Sequence, residues 1–570
     1  MSRKIDEQTP ILIRSTPNDS EDEPRSLEEL EQIYHRENLN LTKYPILISL
    51  WLGSFLASLD NTIVANIMNK VAEEFHESEK KQWIATSFLL TNTAFQPLYG
   101  KLSDVTGRKF ALVTAHIFFL LGCFLTTFSN DVFQFSLFRA VCGFGAGGIS
   151  AMSSIIVSDI CTAKERGVYQ GYANLVFALG QFLGAPLGGF LIDSIGWRII
   201  FAAQVPAILL CLLLAVKNIN IKLAHVPKHR FTWDNMSRID FGGSLTLVCT
   251  IGGILFMCST NWNKLFLAIS TLFSLSLFII NELYLCKEQI LPFKKVWSKF
   301  GVTSILTLFS SFIAFGEIFR TPIFLQTVQN FSTSKTGIFL IFTSISSPVA
   351  SLFTGWVLRR TRLNLEYCSY LLLFFSFIIQ ILGLSLELFV VKYLEPSHFV
   401  SDAATGSGIS ILGQNYLFPS GSFLWKVLLC ISNMLIMGGY SMLLVSTLVS
   451  IVFTVEKSQQ GTFTGLFYLW RSIGNVLGAS LTLTVFDRSL LVGLWRYLKD
   501  QPELFDSLIH DSSNIRKLFS GQKLLDILNI YNNSIIISYI PAYSLCLFSF
   551  VISFIFIRYF TRLLVKHDSC

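Results

Sequence analysis

The chain has 570 residues, of which 52% are hydrophobic and 14% charged, with a formal charge of +7 and a mean hydropathy of +0.55. Soluble domains run at about 25% charged, so composition excludes a disordered chain, a disulfide-rich secreted module and an ordinary soluble enzyme, and points to a polytopic membrane protein. The basic residues are scattered between apolar segments and form no continuous patch, which excludes a nucleic-acid partner. The eleven cysteines lie mostly in apolar runs with no CxxC or CxxH spacing, so they read as small apolar residues, with no metal site among them.

In chain order, residues 1–44 are polar and rich in Glu, Asp, Pro and Ser, and are expected to form a flexible cytosolic tail. Within them Glu7 to Leu12 resembles an acidic dileucine sorting signal, a pattern short enough to arise by chance. A bilayer core takes about 20 apolar residues per helix. Fourteen segments qualify: roughly 45–68, 83–100, 110–128, 132–158, 168–191, 199–216, 240–260, 265–285, 301–326, 337–358, 367–390, 425–454, 462–485 and 535–559. The first is followed by acidic sequence and lacks a small-residue cleavage site, so it is no secretory signal. The expected architecture is an all-α membrane protein of two six-helix bundles, 45–216 and 301–560. An inserted helix pair at 240–286 lies between them, flanked by a cytosolic linker at 217–239 and a cytosolic loop at 287–300. A long non-cytosolic loop at 486–534 and a cytosolic tail at 561–570 complete it.

Loops after even-numbered segments carry Lys101, Arg108, Lys109, Lys164, Arg166, Arg359, Arg360 and Arg362 among others, more than twice the basic residues of the short odd-numbered loops. The positive-inside rule then places both termini in the cytosol. Asn330 and Asn532 head glycosylation sequons on the opposite side.

An internal repeat supports the two-bundle reading. At an offset of 294, Gly167, Gly171, Leu175, Gly180, Leu183, Gly184, Ala185 and Leu187 match Gly461, Gly465, Leu469, Gly474, Leu477, Gly478, Ala479 and Leu481; one helix earlier Gly145 matches Gly439. Segment 5 therefore resembles segment 13, and segment 4 resembles segment 12. Small-xxx-small patterns pack helices in any membrane protein, but five glycine matches at one offset point to duplicated bundles, the architecture of secondary transporters.

Four motifs sit on these helices. After segment 2 comes Gly100-Lys-Leu-Ser-Asp104-Val-Thr-Gly107-Arg108-Lys109; segment 4 carries Arg139-Ala-Val-Cys-Gly143-Phe-Gly145-Ala-Gly147-Gly148. Segment 5 carries Gly180-Gln181-Phe-Leu-Gly184-Ala-Pro186-Leu-Gly188-Gly189, and segment 1 carries Leu59-Asp60-Asn61-Thr62-Ile63-Val64. The first resembles the signature loop of the major facilitator superfamily, with Gly100, Asp104, Gly107 and Arg108 as its conformational residues. The third is similar to the antiporter motif, with Gly180, Gly184, Pro186 and Gly188. The fourth is similar to the first-helix signature of fourteen-helix drug/proton antiporters. The counterpart of the signature loop in the second half, Gly355 to Arg362, is degenerate. Longer runs, Gln82 to Asp104, Ser158 to Asn174, Phe453 to Gly461 and Tyr468 to Leu481, resemble the fungal vacuolar basic amino acid transporters. That resemblance implies proton-driven antiport of lysine, arginine and histidine into the vacuole; relatives of this group at the plasma membrane or exporting drugs supply the alternative.

Charges inside apolar segments cost about 2.5–3.5 kcal/mol each even on the lenient insertion scale, so Asp60, Arg139, Glu317, Arg320 and Arg471 are candidates for function. Asp60 and Arg139 are expected to couple to protons, since an arginine beside a carboxylate changes its proton affinity. The alternative for Asp60 is a salt bridge made for packing, and for Arg139 a structural tie to backbone carbonyls. Glu317 and Arg320 share a helix face: they neutralise each other, or they hold the cationic head and the carboxylate of a basic amino acid. Arg471 and Asn475, one turn apart, could hold that carboxylate, with Asp60, Asn61 and Gln181 as further substrate-lining residues. His116 and Trp470 read as packing residues, and Glu282 lies on the inserted pair. The expected partners are a small-molecule substrate, protons and the lipid bilayer, with no cofactor and a monomeric state. An amino acid sensor with a transporter fold is a further possibility, disfavoured by the short tails. No nucleophile–base pair, P-loop or metal spacing suggests an enzyme.

Overall fold

The structure, a computed structural model, describes residues 27–77, 82–224, 226, 231–259, 263–286, 289, 298–331, 333–394, 408–411, 414–417, 423–456, 459–499, 519 and 521–568. Its first half comprises α1 (Leu27–Leu39), α2 (Lys43–Glu74), α3 (Gln82–Ala94), α4 (Gln96–Thr106), α5 (Arg108–Thr126), α6 (Val132–Ile160), α7 (Ala163–Ser194) and α8 (Trp197–Asn218). A single turn, α9 (Trp233–Met236), precedes α10 (Phe241–Ser259) and α11 (Lys264–Ile280), the latter ending in a π-helical turn, Asn281–Leu285. The second half comprises α12 (Lys299–Ile323), α13 (Thr333–Arg360), α14 (Leu365–Phe389), α15 (Phe423–Thr454), α16 (Gln460–Tyr497) and α17 (Gly521–Asp568). Between α14 and α15, β1 (Gly408–Ile411) and β2 (Gln414–Leu417) form an antiparallel ribbon pairing Gly408 with Leu417.

Among the described residues, eleven helices are long and apolar enough to cross a membrane, and a shorter apolar helix spans Gly242–Ile254. Three elements differ from the sequence expectation. The second segment is broken at Phe95 into α3 and α4, because Pro97 opens α4 and cannot continue the preceding helix. The polar tail is ordered in its last third: α1 docks through reciprocal bonds between the Asn38 side chain and the Lys222 backbone (2.8 and 3.1 Å). The long loop is shorter than 486–534, since α16 runs to Tyr497 and α17 starts at Gly521. The sorting-like sequence at Glu7 to Leu12 lies outside the described residues.

The repeat reappears as packing. Gly180 and Gly184 let α7 close on α2, where an added Cβ would lie 2.6 Å from the Phe55 carbonyl and 2.8 Å from that of Leu59. Their counterparts Gly474 and Gly478 close α16 on α12 at the Leu308 and Phe312 carbonyls. Gly145 seats α6 on α5, and Gly439 seats α15 on α14 at the Ser376 carbonyl. The next two matched pairs act between the halves: Gly167 and Gly171 meet Gly355 and Leu352 of α13, while Gly461 and Gly465 meet Asp104, Gln96 and Pro97 of α4. The two halves are therefore related by a pseudo-two-fold, α2 with α12, α5 with α14, α6 with α15, α7 with α16 and α8 with α17. Each half has its own apolar core, around Ala115, Phe119, Ile149 and Met152 in the first and Phe312, Phe377, Leu443 and Phe467 in the second. Through Leu247 and Ile251, α10 joins the second core, while α11 leans outward with most of its face exposed.

Replacing Gly474 with Leu drives a side chain into the Leu308 carbonyl. Overpacking of this kind costs about 1–3 kcal/mol, so Gly474→Leu should lower the apparent melting temperature of the detergent-purified protein. Gly337→Ala, at a glycine with nothing within 4 Å of the added carbon, should leave it unchanged.

Candidate functional site

The signature motif is mostly helical. Gly100 to Thr106 complete α4, Gly107 turns the chain at φ 94°, a backbone conformation that excludes other side chains, and Arg108 opens α5. Arg108 is 1% exposed. Its Nη1 donates to Asp104 Oδ1 (2.5 Å) and Ser103 Oγ (2.9 Å), and its Nε donates to Asp159 Oδ2 on α6 (2.7 Å). The other Asp104 oxygen crosses to the second half and accepts from the Thr462 backbone N–H and hydroxyl, both at 2.8 Å. That places a carboxylate on the first turn of α16, where exposed N–H groups and the helix dipole favour negative charge.

A second seam closes the same end of the bundle. The Asn174 amide donates to Ser351 Oγ of α13 (2.9 Å) next to the Gly171–Leu352 contact. Deeper between the halves, Ser154 donates to Gln170 (3.0 Å) and hydrogen-bonds Tyr468, and Ser472 donates to Gln96 (3.3 Å). The halves thus meet tightly where the signature motif sits.

Arg471 is half-buried on α16, next to Ser472, which bonds Gln96 across the halves. Its Nε donates to the Tyr440 hydroxyl (2.9 Å), and its guanidinium stands 5.9 Å from the Tyr440 ring and 5.8 Å from that of Tyr468. Among the described residues no carboxylate pairs with it. One turn on, the half-buried Asn475 has a side-chain oxygen with no protein donor.

Asp60 and Arg139 are brought together inside the first half. Arg139 Nη1 of α6 donates to Asp60 Oδ2 of α2 at 2.7 Å, and both side chains are fully buried. Phe88 lies 4.4 Å and Phe201 5.8 Å from the guanidinium, and Gln204 of α8 stands beside Asp60. Asp60 Oδ1 and Arg139 Nε and Nη2 have no protein partner. The antiporter motif backs on this pair, for Gly180, Gly184 and Gly188 pack on Ser58, Leu59, Thr62 and Ile63, either side of Asp60. Asn61 is half-buried, Gln181 is exposed, and Pro186 falls within α7.

Glu317 and Arg320 also close on each other, 0% and 2% exposed, inside the second half. The Arg320 guanidinium stacks 3.6 Å from the Tyr539 ring of α17. Two further residues complete the cluster, Glu387 of α14 and Asn433 of α15, whose amide donates to Glu387 (3.3 Å) while its oxygen accepts from Thr321 (3.1 Å). Both signals were present in the sequence: Glu387 is a carboxylate within an apolar run, and Asn433 stands at the 294-residue offset from Arg139.

The remaining candidates are peripheral. His116 is buried with Nδ1 on the Leu112 carbonyl (2.9 Å), a packing role. Asn330 is exposed with φ 54°, whereas Asn532 lies within α17 and its amide donates to the Val391 carbonyl (3.3 Å). Asp240, Glu282 and Cys286 bring ligand-type atoms within 4.8 Å of one another at the ends of α10 and α11, although Asp240 is engaged by the Gly243 N–H and the Asn281 amide.

Residues 50–479 match the family model described as Major Facilitator Superfamily. The chain belongs to the major facilitator superfamily. Vacuolar basic amino acid transporter 1 of Saccharomyces cerevisiae is 57% identical to this facilitator over 542 residues, covering 93% of this chain and 95% of that protein. Multidrug resistance protein fnx1 of Schizosaccharomyces pombe is 32% identical over 483 residues, covering 83% and 84%. Among solved structures, the human organic anion transporter MFSD10 (TETRAN) aligns with a TM-score of 0.56 over 90% of this chain and 99% of that one, at 13% identity, a likeness of fold.

The Asp60–Arg139 pair makes a double-mutant test. Removing one member of a buried pair costs about 3–5 kcal/mol by leaving a lone buried charge, whereas replacing both with apolar residues is close to neutral. Arg139→Met should therefore unfold well below wild type in detergent melts, and Asp60→Leu/Arg139→Met should recover most of the loss.

Proposed function

We propose that this facilitator carries basic amino acids into the vacuole in exchange for protons. The 57% identity to a protein named vacuolar basic amino acid transporter, sustained over nearly the whole of both chains, carries the reading. On this reading the chain crosses the membrane fourteen times, with α3 and α4 together as the second span, α10 and α11 as the inserted pair, and both termini in the cytosol. The signature end is then the cytosolic end, and the structure is closed towards the cytosol.

Arg471 supports the substrate assignment. An arginine at the junction of two halves with no carboxylate beside it is available to the carboxylate that every amino acid carries, and Asn475 and Tyr440 help to orient it. Asp60 and Arg139 form the coupling pair. Protonation of Asp60 releases Arg139 and reverses the charge arrangement behind the antiporter motif, so the proton-loaded and proton-free states favour different packings of α2 on α7. The vacuolar lumen is acidic, so protons leaving it drive substrate in.

The test is uptake of labelled lysine, arginine and histidine into proteoliposomes with an acidic lumen. Uptake that collapses with the gradient and fails in Asp60→Asn supports the reading. The relation to Multidrug resistance protein fnx1 sets the competing reading, drug/proton antiport, which is supported if cationic drugs move and none of the three amino acids does. Arg471→Gln should raise KM for arginine about 10–100-fold, the worth of a hydrogen bond to a charged group at about 1.5–3 kcal/mol, with a smaller effect on kcat.

A further inference from the structure

The two buried ionic clusters occupy equivalent places and differ in one respect. Asp60 lies seventeen residues into α2 and Glu317 eighteen residues into α12, the paired first helices of the two halves. Behind Asp60 stand Arg139 of α6 and Gln204 of α8; behind Glu317 stand Asn433 of α15 and Tyr539 of α17. In the first half one carboxylate meets one guanidinium. In the second half the arginine has moved onto α12 itself as Arg320, an amide occupies its former position, and a second carboxyl, Glu387, has been added from α14.

The charge count does not close without a proton. Among the described residues, the charged and titratable groups acting on this cluster are Glu317 and Arg320 from α12, Glu387 from α14 and Tyr539 from α17, with neutral Asn433 and Thr321 beside them. Glu387 is 1% exposed and Glu317 0%. Arg320 balances one negative charge, and a second one buried in the membrane is left uncompensated. Asn433 joins the two sides of the cluster, its oxygen accepting from Thr321 beside Arg320 and its amide donating to Glu387, and a buried carboxyl met by a neutral amide is held at lower cost with a hydrogen than without one. Carboxyls sharing a site in this way titrate as a pair with one shared proton.

We propose that the second half carries its own proton-binding site, a proton shared by Glu387 and Glu317 beside Arg320, and that this proton is moved in the transport cycle in addition to the one on Asp60. The proposal rests on the proton-exchange reading above. The ligand is the proton itself. Asn433 donates to Glu387 Oε1 in either state, and Glu387 Oε2, which has no protein partner in the structure, is the open position for the hydrogen. Release leaves two carboxylates on one guanidinium, so the emptied site is stable only while another positive charge stands near. A cationic substrate side chain supplies that charge, which makes exchange of substrate against proton the low-energy course.

Two measurements test this. Infrared spectroscopy of the purified protein at neutral pH should show a protonated carboxyl band that disappears in Glu387→Gln and persists in Asp60→Asn. In proteoliposomes, protons moved per arginine, read from an entrapped pH dye against labelled uptake, should fall by one in Glu387→Gln, a ratio that does not depend on how fast the variant turns over. A band unaffected by Glu387→Gln, or an unchanged proton-to-arginine ratio, would overturn the proposal. If the variant does not transport, the infrared result decides alone. If the wild type moves no basic amino acid yet shows the Glu387-dependent band, the substrate reading fails and the proton site stands.

Discussion

Charge balance in a medium that solvates ions poorly is the constraint on which this structure turns. A carboxylate or guanidinium within an apolar helix persists only where a partner offsets it, and the partners sort the charged residues by role. Asp60 and Arg139 balance each other within the first half. Arg108 is shared between Asp104 and Asp159 at the end of the bundle. Glu317, Glu387 and Arg320 balance only with a proton added. Arg471 meets the Tyr440 hydroxyl and two aromatic rings, and among the described residues neither it nor the buried Arg166 forms an ion pair. Groups paired within a half offset each other's charge there.

The same constraint links the ends of the molecule. Asp104 holds Arg108 with one oxygen and the first turn of α16 with the other, so one carboxylate ties the halves together here, beside the neutral Asn174–Ser351 and Ser154–Tyr468 contacts. Gly461 and Gly100 keep the space for it, since an added Cβ on Gly461 meets that carboxylate and one on Gly100 meets the Gly461 carbonyl. The Asp104–Thr462 contact lies between the halves, whereas Asp60–Arg139 and Glu317–Arg320 each lie within one. The glycine seams α2–α7 and α12–α16 lie within a half; the contacts of Gly167, Gly171, Gly461 and Gly465 lie between the halves.

Much of this was legible in the sequence, for physical reasons. Helix seams built on glycine leave a mark at a fixed spacing, because close approach tolerates no substitute, and the 294-residue offset reproduced every packing relation of the matched glycines. Buried charges were legible because apolar segments exclude them. Their pairing was harder to read. Asp60 and Arg139 lie 79 positions apart, and only the fold shows that they touch. Glu317 and Arg320 had two readings at their spacing of three, and burial against Tyr539 turns them inward. Glu387 gives a weak signal, because a single acid near a segment end resembles a boundary residue. The break at Phe95 follows from Pro97, which was visible, but apolar composition alone ran on through it. The length of α16 beyond the apolar core was hidden because its last turns carry Asp487, Arg488 and Arg496.

The central claim is that proton and cationic substrate compensate the same buried carboxylates and so exclude one another. Proton release on substrate binding tests it most directly. Arginine added to the purified wild-type protein in weakly buffered detergent solution, with a pH dye present, should acidify the medium in proportion to the protein, and should not do so with Asp60→Asn/Glu387→Gln. Arginine binding, seen as a shift in melting temperature, with no proton released would contradict the account.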